Sequence, residues 1–125
     1  MKQDDFEIQF YENVLKRSPD FIEALMALGD WYTKKGLYEK GLAIDERLEK
    51  LRPADPIILY NLACSYSLVK DLNSALKVLK RAVYYGYDDF EHLESDHDLG
   101  NLLQDECFLE LLHSLKKQKK SSGVT

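Results

Sequence analysis

Helix breakers are scarce in this chain. Three prolines and six glycines in 125 residues, nearly all placed where a helix is expected to start or stop, point to helices throughout. Two cysteines, Cys64 and Cys107, form no CxxC metal pair and are too few for a disulfide-dense scaffold. Each lies in an apolar helical pattern, so both are expected to be buried free thiols. No stretch approaches the ~18 consecutive apolar residues of a membrane span. The stretch up to Phe10 carries two adjacent aspartates and no apolar run, and reads as neither a signal peptide nor an anchor. The expected compartment is the cytoplasm. GxSxG, P-loop and dinucleotide fingerprints are also missing, which argues against an enzyme and against a bound cofactor.

What is present is one domain's worth of residues with 45% hydrophobic and 31% charged side chains, enough to build a continuous core. The net charge is -5, and setting aside Lys116, Lys117, Lys119 and Lys120 leaves -9 on residues 1–115. Such an acidic body repels phosphate, so nucleic acid is an unfavourable partner. The four lysines complement a helix C-terminus, and residues 117–125 are expected to form a disordered basic tail. No membrane partner is expected. Trp31, Tyr84, Tyr85 and Tyr87 lack the basic groove of a base-stacking platform and read as packing residues.

Residues 22–53 and 56–87 are two copies of one pattern, 34 positions apart. Leu25, Leu28, Gly29 and Tyr32 fall on Leu59, Leu62, Ala63 and Tyr66, so L-x2-L-[GA]-x2-Y recurs intact. Gly41 falls on Ala75, and Leu48 on Ala82. Asp20 followed by Glu23 suggests a capping box opening a helix to about Lys34, with Gly36 as its stop. A second helix should run from Leu37 to Leu51. Asp55 and Pro56 open a third, reaching Val69. After a turn at Lys70 to Leu72, a fourth should end at Tyr85 before Gly86. Upstream, Tyr11 and Pro19 mark residues 4–17 as the second helix of a half unit. Beyond Gly86 the pattern fails: a short helical turn is expected at Asp89 to Glu94, and a last helix from about Asp105 carrying Phe108, Leu111, Leu112 and Leu115.

The period and the motif resemble the tetratricopeptide repeat. That resemblance implies an all-α fold, a right-handed antiparallel helix-pair solenoid of about two and a half units with a C-terminal capping helix. Its parts would be a half repeat at 4–19, repeats at 20–53 and 54–87, and a helical cap at 88–116 covering the apolar flank. Gly29, Ala63, Gly41, Ala75 and Ala82 are small because antiparallel helices approach closely only across small side chains. The chain departs from the family in three ways: Leu25 and Leu59 replace tryptophan, Tyr87 replaces the closing proline, and Asp45 sits on an aromatic position. Asp45 is expected to tilt into solvent, the alternative being burial against a tyrosine or asparagine of the next helix.

In this family the first helix of each unit lines a concave groove. By resemblance the lining is Glu23, Met26, Ala27, Asp30, Thr33 and Lys34 from one unit, with Ile57, Tyr60, Asn61, Cys64, Ser67 and Leu68 from the next. Such a surface suits an extended peptide or a helix, unless the upstream helix covers it. The implied function is a non-catalytic protein-binding adaptor, chaperone-like in character. Members that grip the C-terminal tails of heat-shock chaperones use a clamp of cations and asparagines. Only Asn61 matches here. Met26, Asp30, Glu91 and Ser95 occupy the other places, and acids there repel such a tail.

Two rival readings have their own residues. Phe6, Ile8, Phe10, Tyr11, Val14 and Leu15 give the first helix apolar residues on more than one side, which suits a homodimer, an assembly subunit or a secretion-chaperone-like protein. Glu94 with His97 and Glu110 with His113 form two Glu-x-x-His pairs, the pattern of di-iron carboxylate sites. The first pair lies in a broken, Asp-rich stretch, and the apolar side of the second's helix is used by Phe108 and Leu112. No metal is expected.

Overall fold

The computed structural model of the chain describes residues 2–122. Seven α-helices follow one another: α1 Gln3–Arg17, α2 Ile22–Lys34, α3 Tyr38–Leu51, α4 Pro56–Leu68, α5 Leu72–Tyr84, α6 Phe90–Ser95 and α7 Glu106–Ser122. Short 3-10 turns at His97–Leu99 and Leu102–Gln104 separate the last two, and no strand occurs among the described residues. Helices adjacent in sequence pack on each other in series, α1 on α2 through to α4 on α5. This all-helical stacking is compatible with a helical solenoid.

The stacking follows from the small residues. A methyl group added at Gly29 would come within 3.2 Å of Ile44 Cγ2 and 3.3 Å of Asp45 Oδ1, so α2 and α3 touch where a side chain is missing. One added at Gly41 would meet the Thr33 hydroxyl at 3.0 Å. In the next pair Ala63, Ala75 and Ala82 are fully buried. Two apolar clusters result. Leu15, Leu25, Leu28, Ile44 and Leu48 join α1, α2 and α3, and Ile58 at the start of α4 closes that cluster. Leu59, Leu62, Leu79, Tyr87, Leu93, Leu99, Leu102 and Phe108 join α4 and α5 to the C-terminal residues.

The 34-residue period also runs through the hydrogen bonds. Arg47 donates to the Pro19 carbonyl and Arg81 to that of Pro53. Tyr32 donates to Glu12 and Tyr66 to Glu46. Gly36 stops α2 with φ 83°, and Lys70 takes the same left-handed conformation after α4 with φ 67°. Leu93 is buried like Leu25 and Leu59. Hence α6 starts a third round of the pattern, 34 residues after Pro56, and breaks off after six residues.

Several expectations are corrected. Asp20 does not cap α2; Phe21 takes the N-cap place with no side-chain hydrogen bond, because Asp20 lies in the turn that precedes it. Asp45 is buried and accepts a hydrogen bond from Ser65 of the next helix, since α4 presents a hydroxyl there. Cys107 is exposed, because the inward face of α7 is taken by Phe108 and Leu112. Tyr84 and Tyr85 are exposed at the end of α5 and stack edge-on against each other. Finally, α7 runs on to Ser122, through positions assigned to the disordered tail. Lys116 pairs with Glu94, and Lys119 donates to the Asp88 carbonyl at 2.6 Å, lying over the Phe90 ring. Residues 123–125 of that tail lie outside the described residues.

Candidate functional site: an acidic cleft between α2, α4 and the C-terminal cap

Helical spacing sets Met26, Ala27 and Asp30 on one face of α2, and Tyr60, Asn61 and Cys64 on the corresponding face of α4. These six residues come together around a cleft of about 470 Å³. Its floor is Gly29, Asp45, Leu48 and Ser65, and its far wall is His92, Asp96 and Asp98 from the cap. Met26 and Asn61 are open to solvent. Asp30 is exposed beside Lys34, 3.1 Å away.

The other six expected lining residues lie elsewhere. Glu23 and Lys34 are exposed outside the cleft. Ile57 is half exposed at the start of α4. Thr33 turns toward α3, its hydroxyl bonded to the Gly29 carbonyl at 3.1 Å. Ser67 is fully buried, and Asn101 donates to its carbonyl at 2.9 Å. Leu68 lines a hollow beside Leu37 and Tyr38. The cap rather than α1 covers this side of α4, because Tyr87 stands where the earlier units close with proline and stacks on Tyr60 at 4.3 Å.

Asp96 organises the cap wall. Its Oδ2 accepts the Tyr60 hydroxyl at 2.5 Å and the Cys64 thiol at 3.7 Å, and lies 3.3 Å from His92 Nε2. Its Oδ1 accepts the backbone N–H of Asp98. Sequence reading missed this role, seeing Asp96, His97 and Asp98 only as an interruption. The available signal was that Asp96 falls 34 residues after Leu62, a carboxylate on a packing position.

Electrostatics define what the cleft can do. Burial pushes the Asp45 carboxyl up to about 6, partly opposed by the Ser65 hydrogen bond and helped by the Asp30 charge. Asp98 is also raised, first by burial, then by Asp96 and Asp30. Burial, followed by the charge of Asp96, holds the Cys64 thiol well above its ordinary range. A raised thiol is the opposite of an activated nucleophile. Tyr60 is raised in the same way, by burial first.

Among the described residues no cluster of His, Cys, Asp and Glu is arranged to hold a metal ion. Glu94 of the first Glu-x-x-His pair binds Lys116 instead. No described helix is long and apolar enough to cross a membrane.

No family model matches the chain. Among curated proteins it is similar to a chloroplastic protein of Arabidopsis thaliana, at 33% identity over 107 residues. The match covers 81% of this chain and 30% of that protein, so the chain spans less than a third of the relative's length.

Proposed function

We propose that the chain is a non-catalytic protein-binding module, a right-handed solenoid of tetratricopeptide type, that takes a basic segment of another protein into the cleft between α2, α4 and the cap. The observation that carries this reading is the concentration of Asp30, Asp45, Asp96 and Asp98 around one cleft whose mouth carries Met26 and Asn61. An acidic, partly desolvated concavity attracts lysine or arginine and rejects carboxylates. Met26 supplies adaptable apolar contact, and the Asn61 amide both donates to and accepts from a peptide backbone. The acidic wall opposes the tails that heat-shock chaperones present, and the same charge opposes nucleic acid. Tyr60 acts here by holding the cap, not by meeting the ligand, because it is buried between Tyr87 and Asp96.

The test is capture from an array of peptides of graded charge. Lys- and Arg-bearing peptides should bind in preference to acidic ones, and more weakly as salt rises. Asp30→Asn combined with Asn61→Ala should weaken them roughly tenfold, at about 1.4 kcal/mol, with an unchanged melting point. Equal capture by wild type and double variant would end this reading. A cytoplasmic placement belongs to the same proposal, and a fluorescent fusion that accumulates in an organelle overturns it.

A further inference from the structure

Asp45 lies on the floor of the cleft, 8% exposed and only half satisfied. Ser65 donates to its Oδ2, and among the described residues no donor reaches Oδ1. The way to that oxygen is open because position 29 has no side chain: a methyl group there would lie 3.3 Å from Oδ1. Gly29 lines the same cleft. The equivalent pair in the second unit, Ala63 and Leu79, offers neither the gap nor the charge.

Among the described residues no cation pairs with this carboxylate. On α3 itself Arg47 turns to the Pro19 carbonyl, and Glu49, one turn on, is held by Arg81 of α5. From α2 comes Asp30, with Lys34 bound to it on the exposed side. From α4 come Tyr60 and Cys64, both engaged by Asp96. From the cap come Asp96, Asp98 and His92, the last 3.3 Å from Asp96. An ionised Asp45 therefore faces three like charges with one hydroxyl for support. A buried carboxylate escapes that position by holding a proton or by gaining a cation.

We propose that the cleft takes the side chain of an arginine, its guanidinium meeting Oδ1 of Asp45, and that Asp45 releases its proton to solvent as the cation arrives. This rests on reading the cleft as a site for a basic segment. Guanidinium is more weakly hydrated than ammonium, so a floor this buried favours arginine over lysine. Its fork of five donors serves more than one carboxylate at once, and Asp30 is near enough to raise both Asp45 and Asp98. Because arginine keeps its charge, the proton leaves from Asp45 and not from the ligand. Burial, partly opposed by the Ser65 hydrogen bond and helped by the Asp30 charge, pushes that carboxyl up to about 6. A ligand that needs it ionised binds at full strength above that value and more weakly as pH falls through it.

The probes are the blocked tripeptides Gly-Arg-Gly and Gly-Lys-Gly, titrated into the full chain with the backbone amide shifts of Gly29, Asn61 and Asp98 as the readout. The arginine peptide should bind the more tightly at pH 7. Its affinity should fall about tenfold by pH 5, the factor for one carboxyl titrating near 6. Asp45→Asn should bind it about tenfold more weakly at pH 7 and lose most of the pH dependence. His92→Gln should keep that dependence, which separates Asp45 from the one group of the wall that turns cationic in acid. Binding of the arginine peptide that ignores both pH and Asp45→Asn overturns the inference and leaves the cleft's preference for bases standing. So does a dependence that follows His92 instead, or equal affinity for the lysine peptide. If neither peptide moves those amides, the inference falls together with the reading of the cleft beneath it. If Asp45→Asn does not fold, the pH profiles of wild type and His92→Gln decide.

Discussion

The unit at 22–53 and the unit at 56–87 share their spacing and differ in what fills it. Where α2 and α3 meet through Gly29, Gly41 and Asp45, α4 and α5 meet through Ala63, Ala75 and Leu79. The first unit's helices begin at Phe21 and Leu37 without side-chain caps. Those of the second begin at Asp55 and Asp71, whose carboxylates accept the first backbone N–H groups. Only the chain reversal runs the other way, with a strain-free Gly36 in the first unit and Lys70 in the second. The period therefore prescribes where helices cross, and each unit meets that demand with different chemistry. Alanine, leucine and capping aspartates make the second unit a firm base for the cap. Glycine and a buried carboxylate give the first a polar flank facing the cleft.

The comparison is broken most severely by moving the carboxylate across. Leu79 is 1% exposed, and the place of Ser65 in this unit is taken by Leu99, fully buried. Leu79→Asp should therefore cost roughly 3–5 kcal/mol in denaturant unfolding, or prevent folding, because the buried charge finds no donor. A loss under about 1 kcal/mol, the scale of an exposed substitution, would mean that the two positions are not equivalent.

Asp45 tests the first unit by pH. Its folded pKa of about 6 lies above the ordinary value of 3.8, so between those values the folded chain holds a proton that the unfolded chain has released. The stability it contributes is fully present below the unfolded pKa and is lost as pH rises through about 6. Asp45→Asn keeps an acceptor for Ser65 and removes the charge. It should stabilise the protein at pH 7 by on the order of 2 kcal/mol and leave it little changed at pH 4. Thermal melts of both proteins across that range check the sign, and a variant less stable at pH 7 refutes the account.

The smallest effect sharpens the turn. Lys70 carries a side chain at φ 67° where the first unit has glycine. Lys70→Gly should stabilise by roughly 0.5–1 kcal/mol, through relief of the left-handed conformation offset by glycine's greater unfolded entropy. A destabilised variant would show that the lysine side chain does more at that turn than the left-handed backbone requires.

Residues that act through local spacing were legible from the chain. Leu25 and Leu59 announce buried first-helix positions, Asp55 with Pro56 announces a capped start, and Gly86 a stop, because periodicity and capping depend on neighbours within a few residues. The α2 and α4 residues around the cleft were named from the family resemblance, and six of those twelve line it. Its other wall was not: a cap over the second unit was expected at 88–116, but nothing local in Asp96 says that its carboxylate reaches Tyr60 and Cys64 of α4.

The sequence by itself determined the helices, their order and the crossing points set by glycine and alanine, all of which are consequences of short-range sterics and a fixed period. Tertiary structure alone decided the rest. Asp45 is buried because Ser65, 20 residues on, reaches it from the next helix. Tyr60 and Cys64 turn from groove residues into supports because Asp96 reaches them from the cap, more than 30 residues away in the chain. A carboxylate's fate depends on which donors the fold brings within about 3 Å, the reach of a hydrogen bond, and that is information no local window contains.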